Sequence, residues 1–272
     1  MMDDLIGLAQ RCLAADGGLP HAAAPRFLRR RWTGPAVITE EVRDGAGQLL
    51  AAGAVRPSEG GVAFTGLIDP AARGRGLGGR LLDWGLDRAG PVTVESEGLT
   101  PEAESLFASR GLRQIFAEDV MRIEVGGSAP PAWPAGVELV SWDDAAAPRF
   151  FAAYHAAFRE RPGFPGWSAP EWIAGVADDD EFRPDWSVLA VLPGLGDAGF
   201  VTAADGWIVQ VGVIPAARGR GVGAALIREA LSRMRADGAA EAWLDVNVDN
   251  PAARLYRRLG FSDRGRRARY TR

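Results

Sequence analysis

A repeated segment divides the chain into two related halves. Residues 66–82 read GLIDPAARGRGLGGRLL and residues 211–227 read VGVIPAARGRGVGAALI, so the string PAARGRG occurs twice. The offset between the copies is 145 (218 − 73), which pairs Arg73 with Arg218. A repeat of this length at one fixed offset indicates two structural units of the same fold, even where only one of them retains chemistry.

A segment rich in glycine and proline separates the two copies. Residues 126–136 read GGSAPPAWPAG, without helical or strand periodicity, as is typical of a linker. We therefore predict an N-terminal domain over residues 1–126, a linker over 127–136 and a C-terminal domain over 137–272. The total of 272 residues suits two domains, since one domain usually has roughly 100–200 residues.

The composition limits the classes of protein to consider. The chain is 47% hydrophobic and 24% charged with a net charge of −4, which is typical of a soluble globular protein and argues against a general nucleic-acid binder. No apolar run approaches about 18 residues, so we expect no membrane span. Cys12 is the only cysteine, so no intramolecular disulfide can form and the cytoplasm is the expected location. The absence of lysine excludes Schiff-base catalysis, and no metal site is predicted.

The residues around each copy predict alternating strands and helices. In the second half, strands are predicted over residues 206–214 and 241–246, where apolar and β-branched residues predominate. Helices are predicted over residues 222–236, from the spacing of the apolar residues, and over residues 251–259. The first half repeats this order over residues 62–68, 77–89, 92–95 and 101–110.

The repeated string lies between a strand and a helix, which is a favourable place to bind a diphosphate. Backbone N–H groups at a helix N-terminus and the helix dipole attract anions, glycines let the backbone approach, and arginines add charged donors. The candidate cofactor-binding residues are Arg218, Gly219, Arg220, Gly221, Val222, Gly223 and Ala224 in the second copy and Arg73, Gly74, Arg75, Gly76 and Gly78 in the first. The alternative is a purely structural turn. The string is neither a dinucleotide fingerprint nor a P-loop, because the glycine or the Lys-Ser/Thr that those motifs require does not follow.

Two motifs resemble a known family. The string Arg218-x-x-Gly221-x-Gly223 resembles the acyl-CoA pyrophosphate loop, Gln/Arg-x-x-Gly-x-Gly/Ala, of the GCN5-related N-acetyltransferases (GNAT). Residues 250–261, NPAARLYRRLGF, resemble the late motif of the same family, in which an asparagine contacts the cofactor and a tyrosine acts as general acid. The resemblance covers residues 199–265 and, through the repeat, residues 53–112. The tandem layout and the segment Arg161-Pro162-Gly163-Phe164 also look like the mycothiol synthase branch of the family.

The resemblance implies an α/β fold, with a mixed, mostly antiparallel sheet flanked by helices, present as two tandem GNAT-like domains. It also implies acetyl-CoA as co-substrate and direct attack on the thioester by an amine of a small molecule or peptide. The backbone of Val211, Gly212 and Val213 would hold the pantetheine arm, and Asn250 would contact the cofactor. Tyr256 would protonate the departing thiolate. The alternative for Tyr256 is a ring that only packs on the sheet.

The identity of the catalytic base stays open. Much of the family has a glutamate eleven residues ahead of the loop, and that position, 218 − 11 = 207, is Trp207. Asp205 would share a strand face with Trp207 if the strand extends that far, and Asp245 lies on the next predicted strand. Each carboxylate is equally well explained as a polar residue at a strand end.

The N-terminal copy lacks the predicted acid. When Gly111 is aligned with Gly260, Phe107 occupies the position of Tyr256. Phenylalanine has no proton to donate, so this copy is predicted not to be catalytic by the same route. It either binds a second CoA molecule or only supports the other domain. The two functional hypotheses are an N-acetyltransferase and, as the alternative, a non-catalytic acyl-CoA-binding module.

The resemblance places the acceptor site on the early helices of the second domain, within residues 141–185. The aromatic and histidine residues of this segment are Tyr154, His155, Phe158, Trp167 and Trp172. The acidic run over residues 178–181 would attract a cationic amine, or it is simply a solvated loop. The basic residues 264–272 would meet a phosphate of CoA or an acidic acceptor, or they form a solvated strand end. Partners beyond the acceptor and the oligomeric state are not predicted.

Overall fold

A computed structural model of the chain describes residues 2–88, 90–161 and 163–272. Ala89, the predicted end of a helix, and Pro162, part of the Arg161–Phe164 segment, lie outside the described residues. The chain forms two compact units. Unit 1 comprises residues 1–120, 246–250 and 263–272, and unit 2 comprises residues 121–245 and 251–262.

The first part of the chain forms four helices and five strands among the described residues. They are α1 (Met2–Asp16), α2 (Pro25–Trp32), β1 (Ile38–Arg43), β2 (Leu49–Ser58), β3 (Gly61–Ile68), α3 (Leu77–Leu86), β4 (Val92–Ser96), α4 (Pro101–Ser109) and β5 (Arg113–Glu124). The second part contributes β6 (Glu138–Ser141), α5 (Ala147–Phe158), α6 (Ala169–Ala177), β7 (Val188–Leu192), β8 (Gly196–Ala204), β9 (Trp207–Val213), α7 (Val222–Ala236), β10 (Glu241–Asn247), α8 (Ala253–Leu259) and β11 (Ser262–Thr271).

The sheet of unit 1 is mixed. Antiparallel pairs join β1 to β2 and β2 to β3, whereas β3 and β4 are parallel. The last strand of the chain, β11, pairs antiparallel with β4, and Ala268 lies opposite Ser96. The unit therefore draws strands from both ends of the sequence. Its core lies between the sheet and the helices, with Phe64, Leu82 and Phe107 among the buried residues.

Unit 2 repeats the arrangement. Strands β6, β7, β8 and β9 form an antiparallel series, and β10 runs parallel to β9. The core under α5 and α6 consists largely of aromatic rings. Tyr154 stacks on Trp172 with ring centroids 4.8 Å apart, and Phe150 and Phe200 are fully buried beside them. Stacked and edge-on aromatic pairs of this kind add to the free energy of burial.

The structure confirms the predicted fold class and the elements around each repeat. The helix predicted over residues 222–236 begins and ends where the apolar spacing placed it. The short helix predicted from residue 251 begins at Ala253, because the two preceding residues form a turn. The boundary predicted at residues 127–136 stays a prediction, and the compact units differ from it in assigning residues 263–272 to unit 1.

None of the helices in the described part of the chain is both long enough and apolar enough to cross a lipid bilayer.

Candidate active site

The repeated string forms the same turn in both units. We call residues 73–78 the N-terminal loop and residues 218–224 the C-terminal loop. In each loop two glycines have positive φ, 75° and 78° at Gly74 and Gly76 and 76° and 81° at Gly219 and Gly221. No atom lies within 4 Å of a Cβ built on any of the four. The left-handed backbone, and not crowding, is therefore what requires glycine here.

The helix that follows each loop begins without a side-chain cap. Gly76 precedes α3 and Gly221 precedes α7, and neither can supply a side-chain acceptor to the first-turn amides. Uncapped amides at a helix N-terminus need a partner, which water or an anion supplies. The open space over the glycines gives a diphosphate access to these amides. Both loops therefore fit the pyrophosphate of an acyl-CoA.

The first arginine of each loop is held differently. Arg218 donates from Nη2 to the Ala157 carbonyl (3.0 Å) and from Nε to the Val213 carbonyl (3.2 Å). Arg73 donates from both terminal nitrogens to the carboxylate of Asp16, at 2.6 Å each. The hydrogen bonds to Asp16 raise the pKa of Arg73 above its ordinary value. Arg218 is held by neutral carbonyls, so its charge is not compensated by those partners, whereas that of Arg73 is shared with a carboxylate.

The strand ahead of the C-terminal loop separates from its parallel neighbour. In the described register β9 and β10 pair at Trp207 and Trp243, four residues before Val211. The amide of Ile214 donates to Ala198 on β8, and amide directions alternate along a strand. The amides of Val211 and Val213 therefore point away from β8, toward the edge where β10 has diverged. In unit 1, β3 pairs with β4 as far as Thr65 and then continues to Ile68.

Tyr256 lies on α8 and is nearly enclosed. Its side chain is 7% exposed, and its ring meets that of Phe261 edge-on, with centroids 6.0 Å apart. Burial raises the pKa of Tyr256 to about 12; nearby Arg161 opposes this shift, and Asp245 adds to it. The phenol is therefore protonated at neutral pH and has a proton to donate. Asp245 lies close enough to Tyr256 for their charges to interact.

The two candidate bases lie in different surroundings. Strand β9 begins at Trp207, so the condition that placed Asp205 on that strand is not met. Asp205 lies in the preceding turn with its side chain 75% exposed, and Arg183 is 4.0 Å away. Asp245 is half-buried on β10, on the same strand face as Trp243. Trp207, at the position of the expected glutamate, stacks on Trp243 with ring centroids 6.3 Å apart.

Asn250 follows β10 in the turn that leads to α8. Its backbone N–H donates to the Asn247 carbonyl at 2.8 Å. Both residues belong to unit 1. This hydrogen bond fixes the turn, and the contact of the Asn250 side chain with the cofactor stays a prediction.

Unit 1 has a cavity of about 430 Å³ beside the N-terminal loop. Loop glycines, the ends of β3 and β4, and Phe107 on α4 line it. The ring of Phe107 packs against that of Tyr270, 5.0 Å away, but the Tyr270 hydroxyl donates to Gln114. The Cys12 thiol donates to the Ile68 carbonyl, and burial raises its pKa to about 11. The thiol is therefore protonated and unreactive at neutral pH.

A cluster of charges beside this cavity was not predicted. Arg31 donates at 2.7 Å to both Glu95 and Glu97, Arg56 pairs with Glu95, and Arg269 pairs with Glu97. We call these five residues the charge cluster. The sequence contained one signal of this cluster: Glu95 and Glu97 are two residues apart at the end of a predicted strand, so their side chains share one face. Their arginine partners are distant in sequence, which hid the cluster.

The residues of the predicted acceptor region take several positions. Tyr154, Phe158 and Trp172 belong to the aromatic core of unit 2. Trp167 is exposed. His155 lies among the rings of Phe151 and Phe164. The acidic residues 178–181 are on the surface. Trp167, Trp172 and Asp179 line one cavity of unit 2, whereas Tyr154, His155 and Phe158 are not part of its lining.

Comparison with known proteins identifies the family. The profile of the acetyltransferase (GNAT) family matches residues 133–261. A mycothiol acetyltransferase of Clavibacter michiganensis subsp. michiganensis is 31% identical over 275 residues, which cover 95% of this chain and 87% of the relative. The mycothiol acetyltransferase of Thermobispora bispora is also 31% identical, over 95% of this chain and 91% of the relative. The chain belongs to the GNAT acetyltransferase family. It is an acetyl-CoA-dependent N-acetyltransferase, so the alternative of a non-catalytic binding module is not retained.

Solved structures agree with a tandem GNAT protein. A GCN5-related N-acetyltransferase from Sphaerobacter thermophilus matches with a TM-score of 0.75 and 26% identity, covering 100% of this chain and 93% of the other. A tandem GNAT protein from the clavulanic acid biosynthesis pathway matches with a TM-score of 0.61 and 22% identity, covering 99% and 95%. The second match shows a shared fold, including the tandem arrangement.

Proposed function

We propose that the C-terminal unit catalyses acetyl transfer from acetyl-CoA to a primary amine, with Tyr256 as general acid. The neutral amine nitrogen attacks the thioester carbonyl carbon, and the C–S bond breaks as the C–N bond forms. The leaving thiolate takes the phenolic proton of Tyr256, and the new amide nitrogen loses its extra proton to a base. The observation that carries the proposal is a buried, protonated phenol in the same unit as an uncapped, arginine-bearing loop.

The backbone of β9 supplies the other part of the chemistry. The amides of Val211 and Val213, which point to the diverging edge of the strand, hold the pantetheine arm and polarise the thioester carbonyl. Fixed donors of this kind contribute about 3 kcal/mol to lowering the barrier. Asp245 is the better-supported base for the proton released by the amine, because it is half-buried and interacts with Tyr256. Asp205 is a less well supported base, because its side chain is exposed to solvent beside Arg183.

The relatives point to the kind of acceptor. The Clavibacter and Thermobispora proteins are named mycothiol acetyltransferases. We infer that this chain acts on a small-molecule amine related to mycothiol and not on a peptide. Transfer assays with a panel of small amines and with N-terminal peptides test this inference directly. Faster acetylation of peptides than of every small amine would contradict it.

The N-terminal unit is proposed to bind acyl-CoA without turnover. It retains the loop geometry, the uncapped helix start of α3 and a cavity large enough to admit part of a cofactor. It lacks a phenol at the position of Phe107, and the hydroxyl of Tyr270 is occupied by Gln114. In unit 2 the C-terminal loop would hold the cofactor of the active site.

Native mass spectrometry with excess acetyl-CoA is expected to show two bound molecules per chain. Arg218→Ala and Arg73→Ala should each remove one of them, because each substitution deletes a charged donor from one loop. Only Arg218→Ala should abolish turnover. The exposed Arg30→Ala is the matched control and should leave both molecules bound. A single bound molecule that is lost only in Arg218→Ala would show that the N-terminal loop is a structural turn.

The pH profile of kcat is expected to lack an alkaline limb near pH 10. An exposed tyrosine loses its proton near about pH 10, but the pKa of Tyr256 is raised to about 12. The acid therefore stays protonated through the range in which the amine acceptor becomes neutral. Steady-state rates measured from neutral pH to about pH 10.5 test this. The amide product is quantified directly, so that alkaline hydrolysis of the thioester is not counted as acetyl transfer. A fall in kcat with an apparent pKa near about 10 would contradict a buried acid.

A further inference from the structure

Unit 2 contains a second cavity that the catalytic proposal does not use. It has a volume of about 210 Å³ and lies between α6 and the facing strands β8 and β9. Trp167, Trp172 and Phe182 form aromatic walls, and Thr202 and Gln210 lie on the sheet side. Thr202 and Gln210 are directly opposite each other in the register of β8 and β9. Their side chains therefore reach the cavity from adjacent positions on one face of the sheet.

Three polar atoms of the cavity lining are buried without a hydrogen-bond partner among the described residues. They are Nε1 of Trp172, Oγ1 of Thr202 and Oε1 of Gln210. Trp172 is 2% exposed and Thr202 is 0% exposed. Buried polar groups in native proteins are nearly always paired, because an unpaired one loses its hydration without compensation. Three such atoms around a single cavity point to a ligand that pairs with them.

The chemistry of the three atoms defines the group that fits. The indole N–H can only donate, the amide oxygen can only accept, and the hydroxyl can do either. The complementary group must both accept and donate hydrogen bonds, as a hydroxyl or a carboxamide does. An ammonium cannot pair with the indole N–H, because both groups only donate hydrogen bonds. Both carboxylates of the lining already accept hydrogen bonds: Glu171 from the amide and the hydroxyl of Ser168, and Asp179 from the amide of Glu181.

The cavity is close to the proposed reaction centre. Gln210 immediately precedes Val211, the first residue of the segment that would meet the thioester. The rise along a strand is about 3.3 Å per residue, so Gln210 and Gly212 are roughly 7 Å apart along β9. Gly212 itself is packed against α5, since a Cβ there would lie 3.0 Å from Ala157. The polar side of the cavity therefore lies one residue along β9 from the segment that would meet the thioester.

We propose that this cavity binds an uncharged hydroxyl or carboxamide group of the acceptor, through Trp172, Thr202 and Gln210. The inference rests on the proposed acetyl transfer and adds a determinant of acceptor specificity. Trp172, Thr202 and Gln210 are specificity residues, because they contact the part of the acceptor that does not react. The cavity selects amines that carry a neutral hydrogen-bonding group at a fixed distance from the nitrogen.

The test compares two probes on the CoA-bound protein: 2-amino-1,3-propanediol and 2-aminopropane, which share a carbon skeleton and differ only in hydroxyls. Titration followed by NMR should show the diol binding about tenfold more tightly to the wild type, as expected for net hydrogen bonds to buried partners. Thr202→Val, which removes the hydroxyl at nearly constant volume, should reduce this preference severalfold. Thr202→Ser is the matched control, because it retains the hydroxyl, and should keep the preference.

A stability measurement separates a ligand-binding role from a structural one. Thr202→Val should leave the Tm of the ligand-free protein unchanged or raise it, because the variant removes an unpaired buried hydroxyl. Trp172→Phe should also reduce the preference for the diol. A lower Tm for Thr202→Val than for Thr202→Ser, or equal binding of the two probes to the wild type, would overturn the proposal. If Thr202→Val loses the preference for the diol but no amine is acetylated, the binding site is supported and the proposed acetyl transfer is contradicted.

Discussion

Tyr256→Phe is expected to lower kcat for acetyl transfer by about 10²–10⁴-fold and to leave the Kd for acetyl-CoA unchanged. The variant keeps the buried ring that meets Phe261 and removes only the hydroxyl, whose proton goes to the thiolate in the proposed mechanism. The C-terminal loop, which is proposed to bind the diphosphate, is not altered. The loss should therefore be confined to the chemical step and should be visible in single-turnover rates as well as in kcat.

Tyr270→Phe is the matched control for this experiment. Tyr270 is also a buried tyrosine, but it lies in unit 1 and its hydroxyl donates to Gln114. Its removal should cost some stability and leave kcat within a few-fold of the wild type. Acetyl-CoA affinity measured by calorimetry on each variant separates binding from chemistry. Wild-type turnover in Tyr256→Phe would remove this residue from the mechanism.

Arg31→Met is expected to destabilise unit 1 by about 1–3 kcal/mol. The Arg31 guanidinium donates to Glu95 and Glu97, and its side chain is 12% exposed. Burial lowers the pKa of Arg31, while the two carboxylates oppose this effect. Glu97 is 8% exposed, and one of its oxygens already lacks a partner. Removal of Arg31 leaves Arg56 and Arg269 to balance the two carboxylates, but Glu95 and Glu97 each lose one charged hydrogen-bond donor.

Urea denaturation followed by tryptophan fluorescence measures this effect. Arg30→Met is the matched control, because Arg30 precedes Arg31 on the same helix and is exposed. The control should change the free energy of unfolding by less than about 0.5 kcal/mol. A change below about 1 kcal/mol in Arg31→Met would show that the charge cluster contributes no more than a surface ion pair.

The local features of the fold could be predicted because they depend on short spacings. The apolar positions of residues 222–236 place one helix face on the sheet, and the glycines of both loops predict a left-handed backbone. The duplication predicted two units because it repeats a strand, a loop and a helix together. These signals lie within about 20 residues, where periodicity and turn chemistry act directly.

The features that could not be predicted depend on partners far apart in sequence. The basic tail was expected to meet a phosphate or to be solvated, whereas Arg266 pairs with Asp119 and Arg269 with Glu97. Asp205 would share a strand face with Trp207 only if the strand reached it, but β9 begins at Trp207 because Ala204 pairs with Trp207 and the two residues between them form the turn. The unpaired atoms at Thr202 and Gln210 arise from cross-strand register, which a linear pattern does not contain.

The position of β11 has a consequence for how the protein is made. Strand β4 emerges from the ribosome early, yet its partner β11 follows only after all of unit 2 has been synthesised. Until then β4 presents an unpaired edge, which is the kind of surface that promotes association with other chains. Nascent domains usually fold in the order in which they are synthesised. In this chain unit 2 can fold first, because the sheet of unit 1 is complete only after β11 has been synthesised.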